Sequence, residues 1–84
     1  MPWPLASGDN ALSFGERTTA SGTNSTAFGW QTTAKEKRAT AFGERTTASG
    51  ANATAFGQLA TASGQNSVAF GNEAVANNYG STAF

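Results

Sequence analysis

The sequence predicts an all-β fold, a parallel solenoid built from six stacked coils of 14 residues, and three columns of residues carry that prediction. A Phe occupies every fourteenth position, at Phe14, Phe28, Phe42, Phe56, Phe70 and Phe84. An Ala recurs at the same interval, at Ala6, Ala20, Ala34, Ala48, Ala62 and Ala76. Gly follows the Phe wherever the chain continues, at Gly15, Gly29, Gly43, Gly57 and Gly71. Repetition at a fixed period indicates a stack of one small unit, so residues 1–84 form a single predicted repeat domain.

Each unit contains two clusters of residues that favour a change of chain direction. One cluster is the Gly that follows Phe. The other combines a second Gly column with an Asn column, at Gly8, Gly22, Gly50 and Gly64 and at Asn10, Asn24, Asn52 and Asn66. Gly and Asn tolerate positive φ better than other residues. Each unit is therefore predicted to turn at two corners.

The runs between the corners have the pattern of short strands. Residues 25–28 and 18–21 are examples, rich in Thr, Val and Phe in the different copies, with an alternation of period two. A helix is excluded because Gly recurs about every seven residues at a high cost in helix stability. Parallel pairing of successive coils, at about 4.8 Å per step, places like side chains over like as ladders.

The alternation also predicts which side chains face inward. Thr26 and Phe28 point to one face of their strand, and Ser25, Ala27 and Gly29 point to the other. The small residues suit two closely packed sheets, so we expect them to line a thin coil with the Phe ladder outside. A row of exposed Phe rings requires a covering partner, which predicts self-association. The opposite packing, with Phe inside the coil, stays open from the sequence.

The composition excludes several function classes. Five basic residues balance five acidic ones, which leaves no basic stripe for nucleic acid. The absence of His and Cys removes imidazole-based triads, thiol chemistry and disulfides. No apolar run approaches membrane-spanning length, so this segment is predicted to have no direct membrane contact. We expect no catalytic, metal or cofactor site.

The third unit departs from the repeat in two places. Its second corner reads Lys35-Glu36-Lys37-Arg38 where other units read Ser-Gly-x-Asn. This is either a solvated corner or a contact for an acidic ligand. Glu36 in the Gly column indicates that this corner does not need positive φ. Trp30 replaces the polar residues of its column and is predicted to lie outside, as a binding anchor or an ordinary surface aromatic. Trp30, Lys35, Lys37 and Arg38 are the candidate ligand contacts.

The motifs Asn-Ser-Thr-Ala-Phe-Gly at 24–29 and Asn-Ser-Val-Ala-Phe-Gly at 66–71 resemble the YadA-like head repeat of trimeric autotransporter adhesins. That repeat reads Asn-Ser-Val-Ala-Ile-Gly, so Phe replaces its Ile here. The resemblance extends over essentially the whole chain. It implies a left-handed parallel β-roll, a homotrimer and display at the cell surface. The Phe ladder, which needs a covering partner, is then the expected trimer contact. The ligand would be extracellular matrix or a cell surface, and the outer-membrane anchor would lie beyond this segment.

Two other functions are compatible with the sequence. A structural rod, such as part of a phage tail fibre on a virion or an extracellular filament, needs only length and rigidity. Ice binding is suggested by a double Thr ladder, formed by Thr18, Thr32 and Thr46 beside Thr19, Thr33, Thr47 and Thr61. Met1 to Pro4 depart from the repeat, and we expect them either to cap the stack or to mark where the fragment starts.

Overall fold

The computed structural model describes residues 5–84, so the predictions for residues 1–4 lie outside the described part of the chain. The described chain forms two six-stranded parallel sheets. Odd-numbered strands build the first, here called the Thr sheet: β1 (Leu5–Ala6), β3 (Thr19–Ala20), β5 (Thr33–Ala34), β7 (Thr47–Ala48), β9 (Thr61–Ala62) and β11 (Val75–Ala76). Even-numbered strands build the second, here called the Phe sheet: β2 (Leu12–Phe14), β4 (Thr26–Trp30), β6 (Thr40–Glu44), β8 (Thr54–Gln58), β10 (Val68–Phe70) and β12 (Thr82–Ala83). The prediction of an all-β parallel solenoid is confirmed.

Successive coils stack in register with a shift of one repeat. In the Phe sheet Phe28 pairs with Phe42, and Phe42 pairs with Phe56. In the Thr sheet Ala34 pairs with Ala48. Identical residues therefore lie directly over one another, as the period of 14 predicts. The strands of the Thr sheet are only two residues long, shorter than the four-residue runs in the sequence suggest, because the chain turns at residues on both sides of them.

The interior is made almost entirely of Ala, Ser and Thr. Ala27, Ala41 and Ala55 of the Phe sheet and Ala34 and Ala48 of the Thr sheet are fully buried. Because these side chains are small, the two sheets approach closely, and the Cα atoms span only 12 Å in the thinnest direction. The prediction of a thin coil lined by small residues is confirmed, and the alternative with Phe inside the coil is wrong.

One inner column carries Thr. The side chains of Thr32 and Thr46 are fully buried, and their hydroxyl oxygens have no hydrogen-bond partner among the residues that the structure describes. The equivalent hydroxyl of Thr18 lies 2.6 Å from Ser13 Oγ and donates to the Gly15 carbonyl at 3.3 Å. A buried polar group without a partner costs about 1–3 kcal/mol. This column therefore opposes folding at two of its positions.

The turns at the two edges are named here by their most regular residue. The turn at the end of each Phe-sheet strand, residues 29–32 in the third unit, is the Gly corner; its first two residues are the last two of β4. Its Gly residues have φ between 112° and 126°, and a Cβ at Gly29 would collide with the Gly43 backbone. The turn after each Thr-sheet strand, residues 35–39 in that unit, is the Asn corner. Its positive φ lies in the Asn column, with Arg38 at 59°.

Two details of the corners differ from the predictions. The second Gly column is not left-handed; a Cβ at Gly22 would meet the Glu36 backbone, so close approach between coils favours Gly there. The prediction that the corner at Glu36 avoids positive φ is wrong, because Arg38 supplies it. A further column with φ of 57° to 61° was missed, and its members are Arg17, Gln31, Arg45, Leu59 and Glu73. Their side chains have nothing in common that would reveal the backbone conformation.

Candidate interaction surfaces

The Phe side chains form a continuous ladder on the outer face of the Phe sheet. Neighbouring ring centroids lie 4.7 to 4.9 Å apart from Phe14 to Phe70, and 5.5 Å apart at the last step to Phe84. The rings are nearly parallel because parallel pairing in register gives each one the same backbone and rotamer. Phe14 is 55% exposed and Phe84 is 88% exposed, while Phe28, Phe42 and Phe56 are half-buried. The ladder is thus an apolar stripe along the outer surface.

Trp30 lies at the Gly corner, at the end of β4, where it bridges neighbouring coils. Its indole N–H donates to Glu16 Oε1 at 3.0 Å in the preceding coil. The guanidinium of Arg45, from the following coil, lies 5.1 Å from the centroid of the Trp30 ring. Arg45 Nε also donates to Gln31 Oε1 at 3.2 Å. The Trp30 side chain is half-buried, and its contacts clamp three successive coils together.

The acidic residues in the column of Trp30 accept hydrogen bonds along the Gly corner. Glu44 pairs in register with Trp30 in the neighbouring strand. Its Oε1 accepts a hydrogen bond of 2.8 Å from Gln58 Nε2, one coil further on. Hydrogen bonds between positions that differ by one repeat therefore run along the Gly corner, a feature that follows from the register but was not read from the sequence.

The basic residues of the third unit lie at the Asn corner. All four side chains of this segment are exposed, namely Lys35, Glu36, Lys37 and Arg38. Their backbone is fixed by the stack. The Arg38 N–H donates to the Thr23 carbonyl, and the Lys37 carbonyl accepts from Asn52 N–H, both at 2.8 Å. The side chains thus project from an ordered edge.

The structure does not bring the four candidate ligand contacts together in one chain. Trp30 is at the Gly corner, whereas Lys35, Lys37 and Arg38 are at the Asn corner, and strand β5 separates the two. The corners form opposite edges of the coil because each joins the two sheets at a different end. A single chain therefore presents two separate surfaces.

The prediction of a double Thr ladder on the surface is wrong. Thr18, Thr32 and Thr46 are buried inside the coil. Only the neighbouring column, Thr19, Thr33, Thr47 and Thr61, lies on the outer face of the Thr sheet. Strand alternation places a Ser or Lys column two residues further on the same face, at Ser7, Ser21, Lys35, Ser49 and Ser63. This outer face is polar between its two end strands, where Leu5 and Val75 are exposed in the same column.

The described part of the chain, residues 5–84, has no concave pocket and no cluster of three acidic, His or Cys residues that could hold a metal ion. Nor does it contain a helix of the length and apolar character needed to cross a membrane. Its distinctive features are two extended faces and two edges.

Comparison with known families gives one match that covers most of the chain. The family model for the YadA head domain repeat (2 copies) matches residues 6–32, 34–60 and 62–84. Each match begins near the Ala column and extends over about two coils, so the family unit has the same period as the structure. No curated protein sequence matches the chain.

Proposed function

We propose, from the premise that this chain belongs to the YadA head domain repeat family, that it is one repeat domain of a longer, non-enzymatic adhesin head. In this proposal the coil is left-handed, three chains assemble into a rod, and the rod is displayed at the cell surface to attach to extracellular matrix, cells or other surfaces. The observation that carries the proposal is the uncovered Phe ladder on a β-solenoid of this family.

The trimer follows from the need to cover the ladder. Large exposed apolar patches on soluble proteins usually mark interaction sites. A stripe that runs the full length of the stack is best covered by an equally long stripe of the same kind, because the spacing of the rings then matches. Three Phe sheets around an axis parallel to the ladders bury all three stripes at once. The six Phe residues are therefore the proposed trimer contact.

The attachment surface in such a rod is the outer face of the Thr sheet. With the Phe sheet turned toward the axis, this face is on the outside of the rod. It presents the Thr19 and Ser21 columns and, in the third unit, Lys35. Repeated hydroxyls offer both donors and acceptors. The cations Lys35, Lys37 and Arg38 are proposed to contact an anionic partner.

Binding of the labelled chain to wells coated with reconstituted extracellular matrix tests this function. Thr47→Lys places a long charged side chain in the middle of the proposed attachment face, so we expect a severalfold loss of bound protein. Asn72→Lys makes the same charge change at the exposed Gly corner and should bind like the wild type. Both variants should keep the wild-type oligomeric mass.

Two outcomes contradict the adhesin proposal. A trimeric wild-type chain that binds neither matrix nor cells would favour the structural rod, in which the assembly supplies only length. Undiminished binding by Thr47→Lys would show that the Thr sheet is not the attachment face.

A further inference from the structure

Both departures of the third unit fall within one turn of the coil. Trp30 is at its Gly corner, and Lys35, Lys37 and Arg38 are at its Asn corner. In one chain these corners are opposite edges, so neither departure contacts the other. Two irregular sites at the same height on opposite edges have a simple explanation if the edges meet in the assembly.

Cyclic symmetry brings opposite edges together. In a closed ring of three, each contact is heterologous: one patch of a protomer meets a different patch of the next. Each proposed protomer is a thin slab with its Phe sheet toward the axis and a corner at either edge. At each of the three vertices, the Gly corner of one protomer then faces the Asn corner of its neighbour.

The symmetry also sets the height at which residues meet. Because the three-fold axis is parallel to the Phe ladder, equivalent turns of all protomers lie at the same level. The basic corner of one protomer is therefore level with Trp30 of the next. Glu16 lies one coil before Trp30 and Glu44 one coil after it, a step of about 4.8 Å in each direction. Both carboxylates are within reach of side chains as long as Lys and Arg.

We infer that the anionic partner of Lys35, Lys37 and Arg38 is the edge of the neighbouring protomer formed by Glu16 and Glu44. This inference rests on the proposed trimer and adds the chemistry of its vertices. Each vertex would pair two or three cations with two carboxylates, and the three vertices would fix the vertical register of the protomers. Without them, a ladder of identical Phe rings could slip by one coil with little loss of contact.

The intrachain contacts at the Gly corner are compatible with this role. Among residues 5–84, the hydrogen bonds to Glu16 and Glu44 use Oε1 of each carboxylate, so the second oxygen can accept from the neighbour. Arg17 and Arg45 follow these residues directly and lessen the local negative charge. Arg45 is directed onto the Trp30 ring and Gln31 within its own chain. Trp30 therefore keeps one cation away from the vertex and separates the two carboxylates.

Zero-length cross-linking with a carbodiimide tests the contact directly, because this reagent joins only amines and carboxylates that touch. Equal amounts of unlabelled and ¹⁵N-labelled chain are refolded together and cross-linked, and the peptides are analysed by mass spectrometry. We expect peptides that join Lys35 or Lys37 to Glu16 or Glu44, with one half labelled and the other unlabelled. A trimeric protein that yields none of these mixed peptides overturns the inference.

Charge exchange provides an independent measurement. Lys35→Glu with Lys37→Glu should raise the concentration at which half of the trimer dissociates by about tenfold or more, because like charges then face each other at three vertices. Glu16→Lys with Glu44→Lys should do the same, and the fourfold variant should return to nearly the wild-type value.

A matched control uses the same repeat positions two coils further along the chain. Ser63→Glu with Gln65→Glu should raise the dissociation concentration much less, because this pair is level with Gln58, has only Glu44 of the two carboxylates one coil away, and removes no cation from the vertex. Equal dissociation by the control pair and by the Lys35 and Lys37 pair overturns the proposed vertex. The failure of the trimer itself is separate: a monomeric mass for the wild type refutes both proposals, whereas a trimer indifferent to all charge changes refutes only this one.

Discussion

Replacing Gly43 by Ala should destabilise the solenoid much more than replacing Gly71 by Ala, although both glycines are in the same repeat column. The two share the backbone strain, with φ of 122° and 114°. An L-residue held in a sparsely populated region of this kind costs on the order of 1–3 kcal/mol. The surroundings differ: a Cβ at Gly43 would collide with the Gly57 carbonyl, whereas the atom nearest to a Cβ at Gly71 is 3.6 Å away.

The difference between the two variants gives the cost of the coil-on-coil contact. To accept the Cβ at Gly43, the corner must move away from the next coil and break the bond from Leu59 N–H to the Glu44 carbonyl, now 2.9 Å long. That bond contributes about 1 kcal/mol, and overpacking adds about 1–3 kcal/mol. We therefore expect Gly43→Ala to cost about 2–4 kcal/mol more than Gly71→Ala.

Urea unfolding followed by circular dichroism, at one protein concentration for all variants, measures this difference. The fall in transition midpoint should be clearly larger for Gly43→Ala, with an unchanged slope for Gly71→Ala. Equal losses for the two variants would refute the reasoning, since they would show that the backbone of one coil does not rest on the backbone of the next at this corner.

Three further variants, two of them paired with a control variant, test the interior, a corner and the ladder. Thr46→Val removes a buried hydroxyl that has no partner among the described residues and should raise the free energy of unfolding by about 1 kcal/mol. Its control, Thr18→Val, breaks existing hydrogen bonds and should lower the free energy of unfolding. A lower stability for Thr46→Val would contradict this reasoning. Leu59→Asn, at φ of 61°, should stabilise by about 0.5–1 kcal/mol in thermal unfolding because Asn tolerates this conformation better; no gain would mean that the corner is not left-handed in solution. Phe42→Ser should weaken self-association by about 2–4 kcal/mol per chain in sedimentation equilibrium, while Tyr79→Ser, which removes an aromatic side chain that is 73% exposed, should not. An equal effect of the two would remove the ladder from the interface.

The repeat itself made most of the fold predictable. An exact period of 14 places Phe28 under Phe42, and the alternation around Ala27 decides which side chains are small enough to lie between the sheets. These conclusions need only the order of residue types along the chain. The resemblance to a known head repeat rested on the same columns and is confirmed by the family match.

The corners were predicted less well because a Gly can be favoured at a corner for either of two reasons, positive φ or close approach of another coil. Gly22 is needed for close approach and not for positive φ, although the two requirements look alike in a sequence. The left-handed column that includes Arg17 and Leu59 holds basic, acidic, amide and aliphatic side chains. The backbone bonds from the neighbouring coil hold it in place, such as Arg45 N–H to the Trp30 carbonyl at 2.7 Å.

For the candidate ligand contacts, too, the sequence identified the residues but not their positions or contacts in the fold. Trp30 and the basic corner were singled out because they break the repeat, and a break is visible in any alignment of the copies. Their positions on opposite edges depend on how the chain closes each coil. The contacts of Trp30 with Glu16 and Arg45 depend on stacking geometry. The buried Thr column was mistaken for a surface ladder because two adjacent Thr residues do not reveal which of them points inward.

Native mass spectrometry of the intact chain addresses most directly the claim that an outward Phe stripe is covered by copies of itself. We expect a species of three times the chain mass that persists at micromolar concentration. A stable monomer under those conditions would mean that the six rings remain in water, and the proposed architecture of the rod would be refuted.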